Sequence, residues 1–147
     1  MSHLFARELD MKIFLAVAAV LAWLFGLMML LAPTQFYAPV GIVMTAMLAT
    51  VAQAHGATLI GLGTINWIAR NARGRGLIAV LVGNLVTQAL SLFVAVRTSM
   101  LGAGASAAPA FVIHILLGVG FAVFLVRVRN ENDAGIATAQ PSGVGSR

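Results

Sequence analysis

The sequence predicts an all-α polytopic membrane protein, a compact bundle of four transmembrane helices with both termini in the cytoplasm. From Ile13 to Ala69 the chain has no Asp, Glu, Lys or Arg, a run that belongs in lipid. Two further apolar stretches, Leu77–Val96 and Ala107–Val126, each have about the ~20 residues needed to cross a ~30 Å hydrocarbon core. Composition agrees, because 61% of the residues are hydrophobic and only 9% are charged, against ~25% charged in soluble domains.

Four helices account for these stretches. Pro33 ends the first, because proline removes a hydrogen-bond donor and disfavours helix in the residue before it. Gln35, Phe36 and Tyr37 then resemble an interfacial belt, and Pro39 with Gly41 completes the turn. Pro109 suits the first turn of the last helix. The expected helices cover residues of about 13–32, 44–69, 77–96 and 109–126.

The basic residues predict the orientation. With four spans, only Arg97 lies on the opposite side from the other basic residues of the membrane domain. Positively charged loops stay in the cytoplasm, so both termini are expected there, in a bacterial inner membrane. The residues on the cytoplasmic side are Arg7, Lys12, Arg70, Arg73, Arg75, Arg127 and Arg129.

The chain is expected to form one membrane domain, residues 1–129, followed by a disordered cytoplasmic tail, residues 130–147. The tail is polar, rich in small residues and contains Pro141. The first apolar stretch is longer than the ~7–15 residues of a signal peptide and follows Glu8 and Asp10, so we expect it to be retained. Because most of the 147 residues belong to membrane-spanning segments, we expect no aqueous catalytic domain.

Several function classes are disfavoured. Net charge is +5, but the basic residues lie at helix ends rather than on a surface that would bind nucleic acid. Cysteine is absent and no carboxylate lies inside a span, so no metal site is expected. Common phosphate-binding, hydrolase and metalloprotease motifs are absent, and we therefore expect a protein that is not an enzyme.

Small residues at four-residue spacing predict close helix packing. Most such stripes are expected to hold the bundle together, and a role in joining separate protomers is the weaker alternative. They are Ala18, Ala22 and Gly26 in the first helix, Ala52 with Gly56 and Ala57 with Gly61 in the second, and Gly118 with Ala122 in the fourth.

Three polar residues inside the spans form the candidate site. His55 lies 15 residues before Arg70, about 22 Å along a helix, while Gln88 and His114 each lie 13 residues from Arg75 and Arg127, about 20 Å. The three are therefore predicted to share one layer in the outer half of the membrane.

Three interpretations of this layer remain open. The favoured one is a hydrogen-bond network that fixes helix register. The second is a haem b with His55 and His114 as axial ligands. The third is a quinone hydrogen-bonded by either histidine and stacked on Trp23.

The stretch Gly56–Asn71 (GATLIGLGTINWIARN), with the turn LLAP at Leu30–Pro33, resembles a widespread group of small bacterial four-helix membrane proteins, broadly DoxX-like. The resemblance covers the first three helices. It implies four helices with cytoplasmic termini and carries over no catalytic residue. It rests on Gly56, Gly61, Gly63, Trp67 and Arg70.

The expected function is a non-enzymatic accessory or stabilising subunit of a larger membrane assembly, such as an energy-transducing complex. Its expected partners are the lipid bilayer and other integral membrane subunits or further copies of itself, and it needs no cofactor. The alternative is a redox protein that binds haem b or quinone through His55, His114 and Gln88.

Overall fold

The computed structural model describes the backbone of residues 2–100 and 108–139 and the side chains of residues 8–100 and 108–132. Within these ranges the chain is helical and has no β-strand. Four of its helices contain stretches long and apolar enough to cross a membrane, namely Glu8–Leu31, Ala46–Ala69, Gly74–Thr98 and Ala108–Asn132. The predicted all-α membrane bundle is thus confirmed. The elements in order are α1 (Ser2–Leu31), α2 (Pro33–Tyr37), a 3-10 turn (Ala38–Val40), α3 (Ala46–Ala69), α4 (Gly74–Thr98) and α5 (Ala108–Ala139).

The connection between α1 and α3 contains the short helix α2, which the sequence analysis treated as part of an interfacial turn. Pro33 occupies the first position of α2. Gly41 then ends the 3-10 turn with a φ of 76°, which is a left-handed conformation that glycine adopts without strain. Thr45 caps α3, because its hydroxyl accepts a hydrogen bond of 3.2 Å from the backbone N–H of Leu48.

Two helix boundaries differ from the prediction. Helix α1 begins at Ser2 rather than near residue 13, and α5 continues to Ala139 rather than ending near residue 126. Residues 130–139 of the predicted disordered tail are therefore helical. They contain no proline that would interrupt the helix, and Pro141 lies beyond them. Residues 140–147 lie outside the described part of the chain, as do residues 101–107 between the predicted third and fourth helices.

The backbones of α1 and α3 pack closely. A Cβ atom placed on Gly56 would lie 2.6 Å from the carbonyl oxygen of Gly26, and one on Gly26 would lie 2.7 Å from the carbonyl oxygen of Gly56. Only glycine fits at either position. The predicted stripes that contain Gly26 and Gly56 therefore form this interface, whereas Ala57 and Gly61 are exposed on another face of α3.

Helices α4 and α5 form the second close pair. Near one end of the bundle their side chains enclose part of α1. There the ring of Phe14 packs 4.9 Å from that of Phe121 and 5.0 Å from that of Phe124, measured between ring centroids. The buried cluster consists of Leu15, Ala18, Leu77, Leu81, Phe121, Leu125 and Val128. Close backbone contacts between the two helix pairs are few, so the fold is best described as two tight pairs that meet.

One surface of the bundle carries most of its positive charge. Helix α3 ends and α4 begins there, and Arg73 in their connection binds Glu8 of α1 with an N–O distance of 3.0 Å. We call this the basic surface. Its described basic residues are Lys12, Arg70, Arg73, Arg75, Arg127 and Arg129.

Candidate functional site

Two asparagines join the two helix pairs inside the membrane. The side-chain amide of Asn66 in α3 donates to Oδ1 of Asn84 in α4 at 3.0 Å, and that of Asn84 donates back to Oδ1 of Asn66 at 2.7 Å. Asn84 also donates to the carbonyl of Val80 at 2.9 Å. Only 1% of Asn66 and 2% of Asn84 is exposed. The pair is a reciprocal amide contact, in which each polar group has the partner that lipid does not offer.

A second polar pair links α4 to α5. Nδ1 of His114 lies 2.7 Å from Oε1 of Gln88. A protonated Nδ1 would donate to that amide oxygen and leave Nε2 as the acceptor of the neutral ring. Gly118 makes room, because a Cβ there would lie 3.5 Å from the Cβ of Gln88. The structure thus brings together two of the three residues predicted to form the polar layer.

His55 lies farther from the basic surface than Gln88 does. The Asn66–Asn84 contact fixes the register of α3 against α4. Gln88 is one turn beyond Asn84, about 6 Å, whereas His55 is three turns beyond Asn66, about 16 Å. Gly118 lies beside Gln88, and His114 is one turn farther out in α5, which places it within about 5 Å of the height of His55. A layer shared by the two histidines therefore stays a prediction.

The His55 side chain is exposed and borders a groove of about 350 Å³ at the end of the bundle opposite the basic surface. Tyr37 of α2 forms another wall, and burial raises the pKa of its hydroxyl above the ordinary value of 10.0. This phenol therefore stays protonated at neutral pH and able to donate. The remaining lining residues are Ile42, Met44, Leu48, Val51 and Ala52. Such a groove suits an apolar molecule with one or two hydrogen-bonding groups.

Trp23, predicted as a stacking surface for a quinone, lies elsewhere. Its indole N–H donates to the hydroxyl of Thr64 at 3.3 Å, and its ring packs 5.4 Å from that of Trp67. A Cβ on Gly63 would lie 2.7 Å from the Trp23 indole, so the indole lies directly against this glycine. Gly63 is eight residues from His55, about 12 Å along α3. Trp23 and His55 are therefore not placed to hold one small ring between them.

Sequence analysis missed two features of the site. Asn66, the buried partner of Asn84, is not among the predicted site residues. Tyr37 was assigned to the interfacial belt, although it forms a wall of the groove. The presence of Asn66 near the end of one span and Asn84 in the next was the available signal, because two amides inside a membrane favour each other as partners.

The described residues offer little basis for a metal centre. Among their side chains no three His, Asp or Glu groups lie close enough to hold an ion. In the same part of the chain, the buried side-chain nitrogens and oxygens without a hydrogen-bond partner are Nη1 of Arg70 and Oγ of Ser99, both near helix ends.

No family model matches this sequence, and neither does any curated protein or solved structure. The resemblance to DoxX-like proteins thus stays a prediction. What the structure itself shows is a multi-pass, all-helical membrane protein with polar pairs inside its bundle.

Proposed function

We propose that the chain is a non-enzymatic accessory subunit of a larger membrane assembly, held in a bacterial inner membrane with both termini in the cytoplasm. The observation that carries the proposal is a face of α3 that packs against none of the other helices in the described part of the chain. Ala57 and Gly61 lie on it at four-residue spacing, and both are exposed. A Cβ on Gly61 would have no other atom within 4 Å.

This face differs from the one that α3 turns to α1. The backbone of α1 lies against Gly56, whereas Ala57 and Gly61 form a row of small residues on the exposed side of α3. Thr58 belongs to the same row, and its hydroxyl is satisfied by the carbonyl of Ala54 at 3.1 Å. The row therefore has short side chains that leave the α3 backbone close to the surface, and the Thr58 hydroxyl within it is already hydrogen-bonded. Helices in lipid associate through surfaces of this kind, because small residues let backbones approach closely.

The interior of the bundle supports a structural role. Its buried amides are bonded to each other or to His114, and no Asp, Glu, Lys or Arg lies between Ile13 and Ala69 or between Leu77 and Val96. Proton-coupled carriers usually depend on an ionisable group at membrane depth. Bonded amides serve instead to set the register of packed helices.

Photo-crosslinking in the native membrane tests the proposal. A photoreactive residue at position 61 should crosslink to one partner protein or to a second copy, whereas one at position 83 should not. Gly83 of α4 is the matched control, since it is also exposed and has open space around it.

Gly61→Leu supplies the second arm of the test. It should leave the thermal stability of the purified chain unchanged, because no neighbour is displaced, and it should abolish the high-mass band in a native gel. A variant that keeps the high-mass band, or a chain that runs alone in both forms, would contradict the accessory role.

A redox protein is the second candidate. The observation favouring it is the bond from Gln88 to Nδ1 of His114, because histidine ligands of metals are commonly oriented by such a bond at the other ring nitrogen. Haem b would use His55 and His114, whereas a quinone would use the groove beside His55. A reduced-minus-oxidised spectrum with sharp α and β bands would establish the haem form and overturn the accessory role as the main function.

A further inference from the structure

Arg70 stands out among the basic residues of the basic surface. It follows the last residue of α3, and its guanidinium carbon lies 3.4 Å from the ring centroid of Trp67. Trp67 in turn packs against Trp23, whose indole is hydrogen-bonded to Thr64. The guanidinium is therefore held face-on by an aromatic stack that is itself anchored to both α1 and α3. A cation over an indole face is a favourable arrangement, most of all where water is reduced.

The charge of Arg70 has no counter-ion in the described part of the chain. Arg73, three residues away, is paired with Glu8 at 3.0 Å, but no described carboxylate binds Arg70. Its Nη1 is buried and lacks any hydrogen-bond partner among the described residues. Arg70 as a whole is only partly buried, so an acceptor from outside can reach the rest of the guanidinium and supply the missing charge partner.

The chemistry of that acceptor follows from the guanidinium. The guanidinium carries five N–H groups in one plane. Two of them can donate in parallel to two oxygens of one phosphate or carboxylate group. Stacking on Trp67 covers one face of the plane and leaves the edge for such a contact. The surroundings are positive, because exposed Arg75 follows in the first turn of α4.

The position selects a lipid as the source of the phosphate. Arg70 lies between the end of one membrane span and the start of the next, at the depth of the head groups. Beside it, Ile68 is 69% exposed and Ile65 is 51% exposed, which offers an apolar surface to acyl chains. Tryptophan next to a basic residue is favoured at this boundary.

We propose that Arg70, held on Trp67, binds the phosphate of an anionic phospholipid in the leaflet at the basic surface. The lipid phosphate pairs with the accessible part of the guanidinium, and its acyl chains lie along the exposed isoleucines of α3. This site is separate from the polar pairs inside the bundle. Its isoleucines, at four and seven residues after Gly61, continue the face of α3 that carries Ala57 and Gly61.

Native mass spectrometry of the full chain in detergent tests the site. Phosphatidylglycerol and phosphatidylcholine with identical acyl chains are the probes, and Arg75→Gln is the matched control because it removes an equal charge nearby. We expect Arg70→Gln to weaken phosphatidylglycerol binding about tenfold, as loss of a charge-assisted contact implies, and Arg75→Gln to change it much less. Equal losses in the two variants would overturn the proposal.

Two further measurements separate the alternatives. Arg70→Lys keeps the charge but not the planar fork, so it should lose most of the binding, and full binding by this variant would reduce the site to general charge attraction. Inorganic phosphate should not raise the melting temperature as phosphatidylglycerol does, and an equal rise would identify a free anion as the ligand and overturn the lipid. Far-ultraviolet circular dichroism confirms that each variant folds.

Discussion

Loss of the Asn84 side chain should destabilise the bundle more than loss of the Asn66 side chain, although the two amides bond each other. Asn84→Leu removes both interhelical hydrogen bonds and leaves the amide N–H and the oxygen of Asn66 without partners. Asn66→Leu removes the same two bonds, but the amide of Asn84 keeps its bond to the Val80 carbonyl at 2.9 Å. The asymmetry follows from that third bond.

The magnitudes follow from the environment. An interhelical hydrogen bond in a membrane contributes about 0.6 kcal/mol on average, and a buried polar group left unpaired costs about 1–3 kcal/mol. We therefore expect Asn84→Leu to lower the free energy of unfolding by about 3 kcal/mol and Asn66→Leu by about 2 kcal/mol. The double variant leaves no amide unpaired and should lose only about 1–2 kcal/mol, less than Asn84→Leu alone.

Reversible unfolding in mixed micelles, followed by far-ultraviolet circular dichroism, measures these differences. Thr87→Ala is the control, because its hydroxyl bonds the carbonyl of Gly83 in its own helix and should contribute less than about 0.5 kcal/mol. If the losses of the two single variants simply add in the double variant, the amides do not contact each other and the register of α3 against α4 is different.

Three other predictions concern packing, the histidine and topology. Gly56→Ala should lower the melting temperature strongly, because its Cβ would lie 2.6 Å from the α1 backbone, whereas Gly61→Ala should leave it unchanged or raise it slightly. His114→Ala should cost about 1–2 kcal/mol and leave the purified protein as colourless as the parent, and loss of a visible absorption band would instead identify a haem ligand. Reporter fusions should place both termini and the 71–76 connection in the cytoplasm, and a cytoplasmic signal from residues 98–108 would refute the proposed orientation.

The membrane helices could be predicted because their signal is strong and local. The charge-free run is long enough for two membrane helices, and Pro33 marks the break between α1 and α3. The length of each apolar stretch then gives the number of spans. The true ends of α1 and α5 could not be found in this way. Residues 2–12 and 130–139 continue these helices beyond the apolar stretches, where the pattern of hydrophobic residues does not report them.

The candidate site was predictable only in part. The contact of Gln88 with His114 follows from their similar distance to Arg75 and Arg127 along two adjacent helices. The height of His55 depends in addition on the register of α3 against α4, and so on how far the turn between them projects. How far a turn projects depends on its backbone conformation, which spacing along the sequence does not encode.

The division into two helix pairs has a consequence for biosynthesis. Helices α1 and α3 leave the ribosome first, and Gly26 against Gly56 joins them without help from later segments. Helices α4 and α5 form their own hairpin, and the halves then meet through the asparagine pair and the ring of Phe14. If the chain is expressed as two polypeptides, cut within residues 71–73 between α3 and α4, the two halves should therefore still assemble in a bilayer. Mechanical extraction of the chain should release one intact hairpin at a time rather than single helices.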